Sequence, residues 1–256
     1  MCTTCPAGSF CPGSGVSTSM FLYVNAANCS PWTDLSGTGN TVTLNNAPAL
    51  ISTSASSEAM VVSPCAMNFN GINQEVTTST AVAAPTTFSL GVWFTTTLAS
   101  GRKLVGLESF QTGTITGSGS YDRMMWVGTN GQLYFTGWSG GATVSSAVFV
   151  ADGLPHYAVG TFDPSTSSIR LYLDGVQVAS GTITGAIVNY LGWWRIGGYK
   201  ISTYTNAGSD GYLTARLYAV QVYSIALSAV QVASNYAALF SSGTLAPGAV
   251  LCPAGT

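Results

Sequence analysis

The chain has 256 residues, a formal net charge of −2, and charged side chains at only 6% of its positions. Its seven Lys and Arg residues are scattered, so no basic stripe is available to neutralise a nucleic-acid backbone. Apolar residues alternate with polar ones and no apolar run approaches the ~18 residues of a membrane span, so we expect neither a nucleic-acid partner nor a membrane-spanning segment.

Residues 1–19 contain too few large apolar side chains to build a core. They carry Cys2, Cys5 and Cys11 among Gly, Ser, Thr and Pro, and Cys29 follows soon after. Such a density of cysteines is typical of an oxidising compartment. We therefore predict a disulfide-stapled N-terminal segment on an extracellular or cell-surface protein, although no secretion signal with a basic start and an apolar core is present.

Residues 20–240 consist of short, alternating apolar runs separated by Gly, Asn, Ser and Thr. This pattern predicts one antiparallel two-sheet sandwich. In Ser89–Thr95, for example, Leu90, Val92 and Phe94 fall on one face of the expected strand.

The last strands carry more specific signals. Ser168–Gly181 is predicted to form a hairpin, with Asp174-Gly175 as its two-residue turn. Within the strand Leu213–Tyr223, Leu217 differs in parity from the later apolar pair Val220 and Val222, which indicates a β-bulge. The segment from Leu227 to Phe240 has helical periodicity and predicts a short C-terminal helix.

The tail, 241–256, ends in Cys252-Pro253-Ala254-Gly255, which nearly repeats Cys5-Pro6-Ala7-Gly8. Both pieces resemble the Cys-rich repeats of eukaryotic receptor ectodomains and of protist or algal surface proteins. Similar ends favour a head-to-tail contact between copies, which repeats without closing. The alternative is that both ends lie on one sandwich and that Cys252 bridges an N-terminal cysteine.

A set of segments recurs in the order of one known fold family. They are MFLYVN at 20–25, WTDLSGTGN at 32–40, MNFNGINQEV at 67–76, FSLGVWF at 88–94, DGLPHYAVGT at 152–161, IRLYLDGVQV at 169–178, RIGG at 195–198 and LTARLYAVQVYSIAL at 213–227. Together they resemble the concanavalin A/laminin-G-like jelly-roll family. The resemblance implies an all-β, antiparallel two-sheet jelly roll, whose members bind carbohydrate, protein or calcium or act as spacers.

Calcium and zinc are not expected as cofactors. A common acidic pair of the family is replaced by Tyr218-Ala219, and the Cys2-x-x-Cys5 spacing lacks a second ligand pair. Four aspartates could supply calcium ligands, but each stands beside turn residues, where a carboxylate also caps the backbone; they are Asp122, Asp152, Asp163 and Asp210.

No catalytic group is predicted. Glycoside hydrolysis needs two facing carboxylates, and Glu58, Glu75 and Glu108 are isolated from one another in the sequence. The lone histidine, His156, has no accompanying nucleophile motif and is interpreted as structural.

Aromatic rings are the candidates for glycan binding, because the apolar face of a sugar stacks on a ring. In an extended strand, one ring of the Trp193-Trp194 pair enters the core and the other leaves it. The candidates are Trp138, Trp193, Trp194, Tyr199, Tyr204 and Tyr212.

Two modifications are predicted near the start of the sandwich. Asn28-Cys29-Ser30 is an N-glycosylation sequon. Location favours a Cys29–Cys65 disulfide, with the other four cysteines at the termini, among the 15 pairings that six cysteines permit.

Two functions follow as hypotheses. The first is a non-enzymatic structural subunit of a surface filament, which joins copies of itself or other surface proteins through its termini. The alternative is a carbohydrate-binding or adhesion module.

Overall fold

The computed structural model describes residues 20–25, 32–52, 65–113, 119–137, 142–185 and 187–240. Within these residues there are eighteen strands and one helix, α1 at Ala229–Phe240. In chain order the strands are β1 Met20–Asn25, β2 Val42–Asn45, β3 Ala49–Ser52, β4 Cys65–Asn70, β5 Glu75–Thr78, β6 Val82–Ala83, β7 Phe88–Thr95, β8 Arg102–Glu108, β9 Tyr121–Val127, β10 Gln132–Thr136, β11 Thr143–Phe149, β12 His156–Asp163, β13 Ser168–Leu173, β14 Val176–Thr182, β15 Leu191–Ile196, β16 Gly198–Tyr199, β17 Gly211–Tyr212 and β18 Thr214–Tyr223.

The strands form two large antiparallel sheets. The first sheet has the order β14-β13-β12-β7-β18-β4-β3, and β1 also pairs with β18. The second sheet has the order β11-β10-β9-β8-β15-β5-β2, and β6 also pairs with β15. The short strands β16 and β17 pair with each other. The all-β, two-sheet antiparallel architecture predicted from the alternation is confirmed.

The main core lies between the two sheets. Leu90, Val92 and Phe94 of β7 are fully buried there, as their alternation predicts. They share this core with Leu107 of β8 and Met125 of β9, on the facing sheet. These strands therefore send alternate apolar side chains inward and leave the others on an outer face of the sandwich.

Strand β18 contains the predicted bulge. Its pairing with β7 shifts register between Leu217 and Ala219. Because the bulge inserts one extra residue, Leu217 and the later residues Val220 and Val222 all reach the same core despite their different parity.

The β13–β14 hairpin is also confirmed. Leu173 pairs with Val176, and the two residues between them have positive φ, 51° at Asp174 and 83° at Gly175. Two positive φ values in a two-residue loop are typical of a type I′ turn, for which Asp-Gly is a preferred sequence.

The segment 67–76 forms parts of two strands, which lie in different sheets. Strand β4 lies in the first sheet and ends at Asn70, whereas β5 begins at Glu75 in the second. The turn between them needs Gly71, which has a φ of 75° and lies so close to Thr214 that a Cβ would collide with its hydroxyl.

The predicted C-terminal helix is present and packs on the outer face of the first sheet. The ring of Tyr236 lies parallel to that of Trp93, at 5.8 Å between centroids, and Trp93 also stacks on Tyr157 at 5.0 Å. The helix begins after a reciprocal cap, in which Ser228 and Gln231 exchange hydrogen bonds. This helix therefore covers part of one outer face.

A loop covers part of the other outer face. Residues 200–210, between β16 and β17, place Ile201 in a buried cluster with Met124, Trp126 and Tyr134 of the second sheet. The loop is held in place by the hydroxyl of Tyr204, which donates to the carbonyl of Tyr121 at 2.9 Å.

Several predicted features lie outside the described residues. They are the segments 1–19 and 241–256, Cys2, Cys5, Cys11, Cys29, Cys252, the sequon Asn28 and the candidate ring Trp138. Cys65 begins β4 and is buried. Its predicted partner Cys29 lies outside the described residues, so the Cys29–Cys65 disulfide stays a prediction.

Candidate functional site

A buried ionic network lies on the outer side of the second sheet, around Arg195 of β15. Its guanidinium donates from Nε and Nη2 to Oε2 of Glu75, at 2.9 and 2.6 Å, and from Nη1 to Oε2 of Glu108 at 2.9 Å. Arg195 and Glu108 are fully buried, and Glu75 is 2% exposed. Strand pairing thus brings to one arginine two glutamates that are isolated from each other in the sequence.

Lys103 completes the network. Its ammonium donates to Oε1 of Glu108 and is fully buried. Burial lowers the pKa of Lys103 to about 8, although the charge of Glu108 opposes the shift. Burial also raises the pKa of Glu75, against the opposing charge of Arg195. Two cations and two carboxylates thus compensate one another in a volume that excludes water.

The network acts as a clamp on two loops. Arg195 also donates from Nη1 to the carbonyl of Gly113 at 2.9 Å, and Glu108 accepts the backbone N–H of Lys200 at 3.0 Å. Because both carboxylates are engaged by cations and closed to solvent, neither is placed to reach a sugar bond.

Three half-buried rings lie around this clamp, and we call them the aromatic site: Trp193, Tyr199 and Tyr212. The guanidinium of Arg195 lies 5.5 Å from the centroid of the Tyr199 ring. Tyr199 and Tyr212 contact edge to face, with centroids 5.4 Å apart at 61°. Trp193 precedes Arg195 by two residues on the same face of β15, about 7 Å along the strand.

The two neighbouring tryptophans point in opposite directions, as alternation predicts. Trp194 is 1% exposed and belongs to the core between the sheets, whereas Trp193 is half-buried on the outer side. As a glycan-binding candidate, Trp194 is therefore wrong, because no face of its ring is open to a sugar.

Tyr204 is half-buried and belongs to the loop that covers the second sheet. Its ring packs on Trp126, at 5.4 Å between centroids, and on Tyr121 at 5.8 Å. Together with its hydroxyl bond to the Tyr121 carbonyl, these contacts fix the covering loop.

A polar cavity, which sequence reasoning missed, opens on the outer face of the first sheet. Its volume is about 180 Å³. Asn68 of β4, Arg216 of β18 and Thr95 of β7 are direct neighbours across three paired strands. The only sequence signal was the run Thr95-Thr96-Thr97. The lining residues are Asn68, Thr95, Thr96, Thr97, Gly153, Thr214, Ala215 and Arg216.

His156 lies between two aspartates. Its Nδ1 is 2.9 Å from Oδ2 of Asp174, and its Nε2 is 3.2 Å from Oδ1 of Asp152. Burial lowers the pKa of His156, but the hydrogen bonds and charges of the two aspartates outweigh burial and raise the pKa overall. The ring thereby ties the loop before β12 to the β13–β14 turn.

The aspartates considered as calcium ligands all have partners within the protein. Asp122 bonds Arg123 and Tyr190, and Asp163 accepts the N–H of Ser165. Burial alone would raise the pKa of Asp210, but the N–H groups of residues 201 and 202 and the ammonium of residue 200 hold it at about 2. Among the described residues, no cluster of three His, Cys, Asp or Glu side chains could hold a metal ion.

Within the described part of the chain, no helix is both long and apolar enough to cross a membrane.

The fold is similar to solved structures of a mosquitocidal protein and of botulinum neurotoxins. The binding domain of Paraclostridial Mosquitocidal Protein 1 has a TM-score of 0.63 and 12% identity, with 88% of this chain and 53% of that one covered. The botulinum neurotoxin serotype D binding domain has a TM-score of 0.59 and 10% identity, with 88% and 53% covered.

A structure of botulinum neurotoxin type C, whose cell entry depends on interaction with two ganglioside molecules, has a TM-score of 0.59 and 9% identity, with 88% and 52% covered. The chain thus spans about half the length of these structures, and identities this low show a shared fold alone.

A comparison with curated proteins finds no match to the chain. A family model described as the concanavalin A-like lectin/glucanases superfamily, Laminin_G_3, matches residues 70–233. That match covers more than half of the 256 residues and includes most strands of both large sheets. The chain belongs to the concanavalin A-like lectin/glucanases superfamily, as the ordered segments of its sequence predict.

Proposed function

We propose that this protein is a non-enzymatic carbohydrate-binding or adhesion module that acts outside the cell. The observation that carries the proposal is the aromatic site, in which Trp193, Tyr199 and Tyr212 stay partly exposed on the outer side of the second sheet. Rings in such a position offer apolar faces for the C–H groups of a sugar.

The buried clamp holds one of these rings, that of Tyr199. The guanidinium of Arg195 lies beside the Tyr199 ring and is itself held by two carboxylates. A ring that is already fixed loses little conformational entropy when a ligand stacks on it. Rigid aromatic side chains on a sheet therefore suit weak, specific contacts to surface glycans.

The comparisons favour binding over catalysis. Two of the similar structures are binding domains, and cell entry of botulinum neurotoxin type C depends on interaction with two ganglioside molecules. In this chain, Glu75 and Glu108 accept hydrogen bonds from the buried cations Arg195 and Lys103, so we propose no hydrolytic role for them.

The filament-subunit hypothesis has less support. It rests on Cys5 and Cys252 in the similar ends of the sequence, and both lie outside the described residues. For the binding module we also propose an extracellular location, an N-glycan at Asn28 and a Cys29–Cys65 disulfide. These three features rest on sequence patterns.

A glycan array probed with the monomeric protein tests the proposal. We expect binding to a restricted set of glycans and a loss of at least tenfold in apparent affinity for Trp193→Ala and for Tyr212→Ala. Phe149→Ala is the matched control, because Phe149 is a 52% exposed ring on β11 of the same sheet. Silence across the array, or equal losses in all three variants, would contradict the proposal.

A further inference from the structure

We infer that the aromatic site takes a linear, uncharged glycan of three or more sugar units, which lies across the strands of the second sheet and also contacts Tyr121. This inference rests on the proposed function and names the ligand class of the same site. The observation that carries it is a row of three residues in register on neighbouring strands. Trp193 of β15 pairs with Glu108 of β8, and Glu108 pairs with Tyr121 of β9.

The row sets the distance between its two rings. Residues in register on antiparallel strands point to the same face of a sheet. Neighbouring strands lie about 4.8 Å apart, so the backbones of Trp193 and Tyr121 are about 10 Å apart. Glu108 between them is fully buried, whereas both rings are partly exposed. One sugar unit stacks on one aromatic ring at a time, so a ligand that contacts both rings must contain several linked units.

The start of the covering loop lies over the middle of the row. The carboxylate of Glu108 accepts the N–H of Lys200 at 3.0 Å. From there the ammonium of Lys200 reaches to 5.7 Å from the centroid of the Tyr121 ring. Tyr199, one residue before Lys200, is a member of the aromatic site and is partly exposed. Anchored protein groups therefore connect the Trp193 end of the row to the Tyr121 end.

The charges around the row are paired, which favours an uncharged ligand. The ammonium of Lys200 bonds the carboxylate of Asp210 at 2.9 Å, and both side chains are partly exposed. Within the row, Glu108 bonds the buried cations Lys103 and Arg195. An exposed ion pair offers both N–H donors and carboxylate oxygens, which suit the hydroxyl groups of a neutral sugar.

A glycan that contacts both ends of the row gains affinity with length. Once one unit stacks on Trp193, the linked units are held near Tyr121 at a high effective concentration. A glycan too short to reach from one ring to the other gains nothing from Tyr121. Affinity is therefore expected to rise with chain length and to level off when the row is filled.

NMR titration with cello-, chito- and manno-oligosaccharides of one to six units tests the inference. We expect at least one of these neutral series to bind, with at least tenfold higher affinity for six units than for two. Equal affinity for two and six units would overturn the inference and leave the proposed function intact, because a short glycan would still bind at Trp193. Absence of binding in all three series also overturns it, whereas the proposed function fails only if the glycan array is silent as well.

Variants of Tyr121 locate the second contact. Tyr121→Ala is expected to lower the affinity for six units at least tenfold and to leave the affinity for two units unchanged. Tyr121→Phe is the matched control and should bind as wild type does, because it keeps the ring and removes only the hydroxyl, which lies 2.7 Å from that of Thr203. Trp193→Ala should weaken binding at every length. Equal losses for two and six units in Tyr121→Ala, with the variants folded by circular dichroism, would contradict a contact between Tyr121 and the glycan.

Discussion

At the scale of single residues, Arg195 organises one side of the molecule. It joins Glu75 from β5 to Glu108 from β8, and it lies beside the ring of Tyr199. A buried cation between two buried carboxylates contributes little net stability as a complete set, but its removal leaves charges without a partner. Removal of Arg195 is therefore expected to destabilise the sheet more than removal of an exposed residue does.

We expect Arg195→Met to lower the free energy of unfolding by about 3–5 kcal/mol, because Glu75 and Glu108 would remain buried with Lys103 alone. Urea denaturation at pH 7 measures the change. Arg170→Met, a half-buried arginine of β13, is the control and should cost about 1 kcal/mol or less. Similar losses in the two variants would argue against the clamp.

His156 gives the fold a pH dependence. Its pKa is raised above the ~6.5 of an unfolded chain. Protonated His156 therefore stabilises the folded state fully below about pH 6.5, and this contribution is lost as the pH rises through the folded-state pKa.

We expect the difference in free energy of unfolding between wild type and His156→Gln to be up to about 1 kcal/mol larger at pH 5.5 than at pH 8.5, since both aspartates are partly exposed. Urea denaturation at the two pH values measures it. A difference that is constant, or that grows with pH, would show that the aspartates do not hold the charged ring.

At the scale of elements, the sequence predicted those features that depend on local order. Alternation located β7, Asp174-Gly175 located the hairpin, and the parity change within β18 located the bulge. Contacts between distant elements could not be predicted in this way. Strand β15 pairs with both β5 and β8, and this long-range pairing brings the two glutamates together.

The contact between the hairpin and the helix is another such case. Gly175 of the β13–β14 turn lies against Tyr236 of α1, and a Cβ at this glycine would be 3.0 Å from the ring. Hairpin and helix were each predictable, but their contact depends on how the chain returns over the first sheet.

We expect Gly175→Ala to destabilise the protein by about 2 kcal/mol, of which about 1–2 kcal/mol reflects the positive φ and the rest the crowding of Tyr236. Gly37→Ala is the control, because Gly37 has a similar φ of 81° with no atom within 4 Å of an added Cβ. Thermal unfolding should show the larger loss for Gly175→Ala. Equal losses would mean that the hairpin does not press on the helix.

At the scale of the whole molecule, the two outer faces are partly covered by the chain itself. Helix α1 packs on one face, and residues 200–210 pack on the other. The aromatic site and the polar cavity are openings left beside these covers. Sequence reasoning named the rings of the aromatic site from their type and position, and alternation predicted that one ring of the Trp193-Trp194 pair is buried. Which of the two is buried depends on the packing of the sheets.

The most direct test of the central claim is an NMR titration of the ¹⁵N-labelled protein with a glycan selected on the array. We predict that the indole N–H signal of Trp193, assigned with Trp193→Phe, shifts with ligand concentration, while the signal of the buried Trp194 stays in place. A glycan that binds without moving the Trp193 signal would contradict the assignment of the aromatic site as the binding surface.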